Sequence, residues 1–483
     1  MKIKNILSGL VIIASLGSCN DWLTVYPQTE MPAKEMLSTE QGYQDALTGV
    51  YTLMKSSSLY GGRLSFSTIE FMASLWDVTS GTSEYFLATH QFSNTLAKDV
   101  TDDIYEKQYN VIANINSILG NIDTDTTIFK TPGMYRIIKG ECLALRAFIH
   151  LDLMRMYGPL PTATDVATVK TLPYVTKLSK EINMPVTFDE YKTKLLKDIA
   201  DAEVLLKGID PIVQYSPSAL KVASVTSLTT PVASNFYAHR VIRMNYYAVK
   251  ALEARAQMWY GDNNSAYAAA LEVINATNTD GSKKFILGSA ADMSNKLYNL
   301  PSEHIFSVYD YGLYSKYSSN FLSGNLKKGS TVTNIKTTMF GNTGTDIREL
   351  NLWELITLPN TATCHILRKY LVPETPSTLS LDYRQIPLIR LSELYFIAAE
   401  AGSDQALWDA FRTSRGITTT ALAADAATRK NAVLVEFRKE MYGEGQLFYM
   451  YKRLNTSKTS ILFYNSALTV NYVVPLPVTE IVQ

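Results

Sequence analysis

Net charge is missing from this chain: Lys and Arg total 45, Asp and Glu total 45, over 483 residues. A neutral chain lacks the positive field that a polyanion requires, so no nucleic-acid partner is expected. Cysteine is scarce, with only Cys19, Cys142 and Cys364. Cys142 and Cys364 stand far apart in apolar surroundings and are expected to be buried free thiols, which behave as small hydrophobes; a disulfide is the alternative in an oxidising compartment. The five histidines, His90, His150, His239, His304 and His365, are isolated, and no two share an i,i+4 spacing. H-E-x-x-H, C-x-x-C, G-x-S-x-G and Walker patterns are all absent. The chain is therefore expected to be no enzyme, with no catalytic residue, metal site or cofactor. Two carboxylate pairs remain. Asp102-Asp103 reads as helix-start charge and Glu436/Glu440 as a solvated helix face. Glycoside hydrolysis needs only two carboxylates about 5–10 Å apart, so that chemistry stays open as an alternative.

Long apolar runs are lacking too. Lys2 and Lys4 precede an apolar run from Ile6 to Leu16, too short to span a bilayer, and no later segment is apolar for 18 residues. The run reads as a signal peptide over residues 1–18. It ends in Leu16-Gly17-Ser18-Cys19, which resembles a bacterial lipobox. That resemblance implies cleavage before Cys19 and its acylation, each buried CH2 of an acyl chain contributing about 0.8 kcal/mol to membrane attachment. The alternative is an ordinary signal peptide with a chance cysteine.

What is present is a folded, helical chain. Apolar residues make up 46% and charged residues 19%, a globular balance. Ser38-Thr39-Glu40-Gln41 reads as a capping box, Ser38 at N-cap and Gln41 at N3, before a helix to about Met54. Three- and four-residue repeats predict helices over Asp102–Leu119, Met134–Tyr157 and Phe188–Lys207. In the second, Leu143, Ala147, Leu151 and Met154 form the apolar face, with Arg146, His150 and Asp152 off it, and Gly158-Pro159-Leu160-Pro161 stops it. Residues 208–235 read as a long polar loop. Helices Asn245–Tyr260 and Ser265–Ala276 flank Gly261-Asp262-Asn263-Asn264, and their alanines let the two approach closely, as tetratricopeptide units do. Residues 281–385 are loop-rich, with one short strand near Ile305–Tyr309. Helices resume at Pro387–Glu400, Ala406–Arg415 and Ala426–Tyr442.

Tyrosine is abundant, at 30 copies, and its apolar ring with a polar tip suits wet binding surfaces. Sugars lay C–H faces on such rings and hydrogen-bond neighbouring carboxylates and amides. Two clusters in irregular sequence have that make-up: Trp76 and Asp77 with Tyr85 and Asn94, and Tyr309, Asp310, Tyr311 and Tyr314. Either set could equally be core aromatics under loops. Trp259 and Trp408, on helices among alanines, read as packing.

Several segments, in order, are similar to the SusD/RagB family of outer-membrane nutrient-binding lipoproteins. They include the start through Ala46 and Tyr51, and Leu145-Arg146-Ala147 with Tyr157-Gly158-Pro159-Leu160-Pro161. Arg390-Leu391-Ser392-Glu393-Leu394-Tyr395, Glu436-Phe437-Arg438-Lys439-Glu440 through Gly445, and Pro475-Leu476-Pro477 with Glu480-Ile481 follow. Gln446, Leu447, Phe448 and Tyr449 stand where the family usually has His, an aromatic residue and Asp. The resemblance implies a mainly α fold: tetratricopeptide-like hairpins in a right-handed array, with long loop-rich insertions and few short strands. It implies one domain over 19–483, divided into an N-terminal helical part (19–235), a helical core (236–280 and 386–483) and the insertion (281–385). It further implies a surface-exposed, lipid-anchored outer-membrane protein that captures glycans and passes them to a SusC-like TonB-dependent transporter. Peptide cargo, a surface glycoside hydrolase and a pure protein scaffold are the alternatives.

Overall fold

Ten helices of eight residues or more are present among the described residues: α1 (Glu40–Met54), α2 (Thr95–Asn121), α3 (Met134–Tyr157), α4 (Phe188–Leu206), α5 (Tyr246–Trp259), α6 (Asn263–Ile274), α7 (Leu391–Ala401), α8 (Gln405–Ser414), α9 (Ala426–Glu440) and α10 (Leu447–Leu454). The structure is a computed structural model and describes residues 33–221, 234–329, 333–358, 362–373 and 381–480. The signal segment, Cys19, Ile481 and residues 222–233 of the predicted polar loop lie outside the described residues.

Successive helices pack on one another as far as α7. Contacts run from α1 to α2, α3, α4, α5, α6 and α7 in turn; α7 then meets both α8 and α9, and α10 returns to α3. The predicted hairpin is the clearest unit. Gly261, at φ 80°, makes the turn, and Asp262 caps α6 by accepting from Ser265 N at 3.0 Å. Ala248, Ala251 and Ala254 on α5 and Ala266, Ala269 and Ala270 on α6 are all buried, so small side chains sit where the two backbones come together. The two short sheets are antiparallel pairs: β1 (His304–Tyr309) with β4 (Gln385–Arg390), and β2 (Trp353–Thr357) with β3 (Thr363–Leu367).

The structure corrects several local expectations. Thr39, not Ser38, caps α1, accepting from Gly42 N at 3.1 Å, while Ser38 Oγ donates to Glu35 O; adjacent hydroxyls satisfy one capping pattern in two registers. Helix α2 begins at Thr95, so Asp102 and Asp103 lie in its interior, paired with Lys98 and Arg63 rather than at a helix start. Pro387 is not helical. It lies in β4 opposite Ser307, in a two-stranded sheet where a proline need not donate on its outer side. The predicted apolar face of α3 is too narrow, because helices surround it and Arg146, His150 and Asp152 are buried as well. Arg146 and Asp198 form a bidentate pair at 2.7 Å that ties α3 to α4.

The largest correction concerns Glu436 and Glu440. Both are buried, within a network of charges at the C-terminal end of the array. Glu440 accepts from Arg348 (3.2 Å), Arg390 (2.8 Å) and Arg415 (2.8 and 2.9 Å). Arg348 also holds Asp346 and Glu436, and Arg390 holds Glu303 and Glu444. Lys369 donates to Glu444 at 2.6 Å. Four buried cations (Arg348, Arg390, Arg415, Lys369) thus face five buried carboxylates (Asp346, Glu303, Glu436, Glu440, Glu444), a near balance that makes such burial tolerable. Cys142 and Cys364 are buried and unbridged, as expected.

Candidate ligand-binding surface

The first predicted cluster divides between core and rim. Trp76 is core, 2% exposed. Its indole N–H donates to Phe66 O at 2.9 Å, and its ring lies edge-on to Tyr442 (5.0 Å) and Phe321 (5.8 Å). In this position Trp76 presents almost no surface to solvent. Asp77, next in sequence, is exposed and tethers the opposing loop, pairing with Lys328 at 2.9 Å and accepting from Gly329 N at 2.6 Å. Tyr85 is half-buried on the short helix Ser83–Ala88, edge-on to Phe86 at 5.6 Å. Asn94 is committed to capping α2, accepting from Leu96 N at 3.0 Å.

The second cluster keeps its rings nearer the solvent. Asp310 turns inward, paired with Lys316 at 2.7 Å and accepting from Gly312 N at 2.9 Å. That turn throws Tyr311 and Tyr314 outward, 67% and 43% exposed. The Arg384 guanidinium sits 4.4 Å from the Tyr311 ring centroid, a cation–π contact that holds the ring in place. Half-buried Tyr309 lines a groove of about 410 Å³ with Tyr51, Phe236, His239 and Arg243. In that groove Arg243 lies 3.8 Å over Phe236 and 5.0 Å from Tyr51. Burial, aided by the Lys221 charge, lowers the His239 pKa, so this wall carries a neutral imidazole at pH 7.

One stretch of chain joins the two clusters. Residues 313–329 run from Tyr314 to the loop that Asp77 holds, and Asn325 on the way donates to Glu84 at 2.9 Å. Burial alone would raise the Glu84 carboxyl, but hydrogen bonds from its own backbone, Ser83 and Asn325 hold it low. Sequence reasoning missed Arg384, Arg243 and Phe236. A single arginine beside a tyrosine far along the chain carries no periodic signal. Among the described residues no three His, Cys, Asp or Glu side chains group as a metal site, and no helix is long and apolar enough to cross a membrane.

Fold and surface together define a helical-array scaffold that presents tyrosines on the loop-rich segment between α6 and α7. Comparison with known proteins makes this specific. Residues 21–229 match a SusD-like family model described as "Starch-binding associating with outer membrane". The chain is similar to SusD-like protein P25 of Formosa agariphila, 22% identical over 217 residues, which is 44% of this chain and only 39% of that relative's length. A solved SusD superfamily protein of Bacteroides thetaiotaomicron superposes with a TM-score of 0.62 at 22% identity, covering 86% of this chain and 89% of the other. A SusD-like carbohydrate binding protein of Bacteroides vulgatus gives 0.62 at 19% identity, covering 86% and 83%. A laminarin binding SusD-like protein gives 0.62 at 17% identity, covering 92% and 97%. Residues 21–229 are thus similar to the SusD-like family, and the fold of the chain is the tetratricopeptide-like helical array it shares with these solved structures.

Proposed function

We propose that this protein holds glycans at the outer surface of the outer membrane and passes them to a SusC-like TonB-dependent transporter. The mature chain from Cys19 acts as one binding domain, tethered by acylation of that cysteine. The observation that carries the reading is the pair of exposed rings, Tyr311 and Tyr314, on the 281–385 insertion, with Arg384 against the first. Flat rings beside a fixed cation suit the C–H faces and hydroxyls of a sugar. Printed descriptions of relatives as starch-associated, carbohydrate-binding and laminarin-binding support the same class. A lipid tether makes capture at the transporter mouth effectively intramolecular.

The test is retardation of the purified protein in gels containing starch, laminarin or other polysaccharides. The double variant Tyr311→Ala/Tyr314→Ala is expected to weaken binding about tenfold or more, since two ring contacts at about 0.5–1.5 kcal/mol each act together on top of their buried area. Unchanged retardation would remove these tyrosines from the site. Retention of oligopeptides and of no polysaccharide would replace glycan with peptide as cargo.

A further inference from the structure

Five helices, α3, α5, α7, α9 and α10, converge on a small cavity that residues 281–385 do not line. Met258, Phe396, Ile397, Val433, Phe437 and Met450 make it apolar. Three of its lining side chains carry a buried polar atom with no protein partner: Arg255 Nη1, Trp259 Nε1 and Tyr449 Oη. These residues are 4%, 3% and 3% exposed, and buried polar atoms without a partner are uncommon because each costs free energy. Arg255 and Trp259 are four residues apart on α5 and so share a face.

The remaining charges of the cavity are settled in pairs. Arg255 grips Glu393 through Nε (2.7 Å) and Nη2 (2.6 Å), Arg453 grips Glu400 at 2.8 and 2.6 Å, and Arg155 pairs with Asp152. Every lining charge is therefore matched, Arg155 by Asp152 behind the wall, which disfavours an ion, since a buried charge needs an opposite one. What is left over is two N–H donors and one hydroxyl. A secondary amide matches that set: its carbonyl oxygen has two lone pairs for the guanidinium and indole N–H groups, and its own N–H can donate to the tyrosine oxygen. A methyl or methylene on the amide fits the apolar walls. The cavity volume of about 60 Å³ holds roughly four to six water-sized units at about 10–15 Å³ each, the scale of an acetamido group.

We propose that the cavity between α3, α5, α7, α9 and α10 is a second binding site, one that takes a small secondary amide through Arg255, Trp259 and Tyr449. It stands apart from the tyrosine surface and does not depend on it. The amide can come from an N-acetylated sugar or from a peptide unit. The purified full chain, labelled with nitrogen-15 at its tryptophan indoles, is titrated separately with N-acetylglucosamine and with N-acetylalanine methylamide. Glucose and acetate serve as controls, and Trp259→Phe assigns the Trp259 resonance. A saturable shift of that resonance with either amide, absent with both controls, is the expected result, and the stronger amide names the source. Tyr449→Phe is expected to weaken the amide about fivefold, the effect of one lost hydrogen bond. No shift with either amide, equal shifts with a control, or an unchanged affinity in Tyr449→Phe would overturn the site and leave it a pocket for water. Polysaccharide retardation is read independently, so this failure leaves the glycan surface standing.

Discussion

Glu440→Gln is expected to cost the folded chain about 3–5 kcal/mol, the range for breaking a buried ion pair by removing one partner. Glu440 is the shared acceptor of three buried arginines: Oε1 accepts from Arg390 and Arg415, and Oε2 from Arg415 and Arg348. Those arginines come from the short helix Ile347–Asn351, from the β4–α7 junction and from the end of α8. One carboxylate on α9 thus fixes four segments. The amide keeps the size but loses the charge and turns an N–H pair toward guanidinium groups that are themselves donors. Chemical denaturation checks this through the midpoint, with the slope showing whether the same surface unfolds. A loss below about 1 kcal/mol, the range of an exposed pair, would show that Glu440 does not hold these segments together.

The same network sets the acid limit. Burial would raise Glu440, yet Arg415 and Arg390 hold its carboxyl well below the ordinary range, and Arg390 with Lys369 likewise holds Glu444 low against burial. A depressed folded pKa means that the unfolded chain binds protons first as pH falls. The stabilisation is therefore fully present above about pH 4.3, the ordinary glutamate value, and drains away as pH drops through the depressed values. Wild-type stability is expected to fall steeply below about pH 4, and Glu440→Gln to fall less steeply over that window because one such group is gone. Equal slopes in the two proteins would place the acid-sensitive groups elsewhere.

How much of this was readable from the sequence depends on whether the signal is local. Helix α3 was read to the residue, because Gly158-Pro159 ends it and its apolar positions repeat. The α5–α6 hairpin was read because its turn and its alanines are adjacent in the chain. Glu436 and Glu440 were misread because an i,i+4 carboxylate pair looks the same whether it meets water or arginines. The partners of Glu440 lie 92, 50 and 25 residues away, and nothing local announces them. Asp310 and Tyr311 are neighbours of opposite fate: one turns in to Lys316 and the other out to solvent, a choice made by the backbone turn at Gly312 and invisible in composition. The aromatic make-up of the insertion was legible; which ring faces out was not.

Trp76 shows the same limit with a measurable consequence. Trp76→Ala is expected to destabilise the protein by about 3–5 kcal/mol, the range for deleting a buried large aromatic ring. The ring fills the space between Tyr442, Phe321 and Trp353, and its N–H satisfies the Phe66 carbonyl. Those contacts brace the base of the loop that Asp77 ties to Lys328 and Gly329, so any loss of glycan retention in Trp76→Ala follows from loosening that loop and from a smaller folded fraction. Trp76→Phe separates stability from contact. It keeps most of the ring volume, gives up the one hydrogen bond, and is expected to lose about 1–3 kcal/mol for the carbonyl left unpaired while holding polysaccharide as the wild type does. Urea unfolding and gel retardation on the same preparations give both readings. A well-folded Trp76→Phe that no longer binds would put the indole back in the site and overturn its assignment to the core.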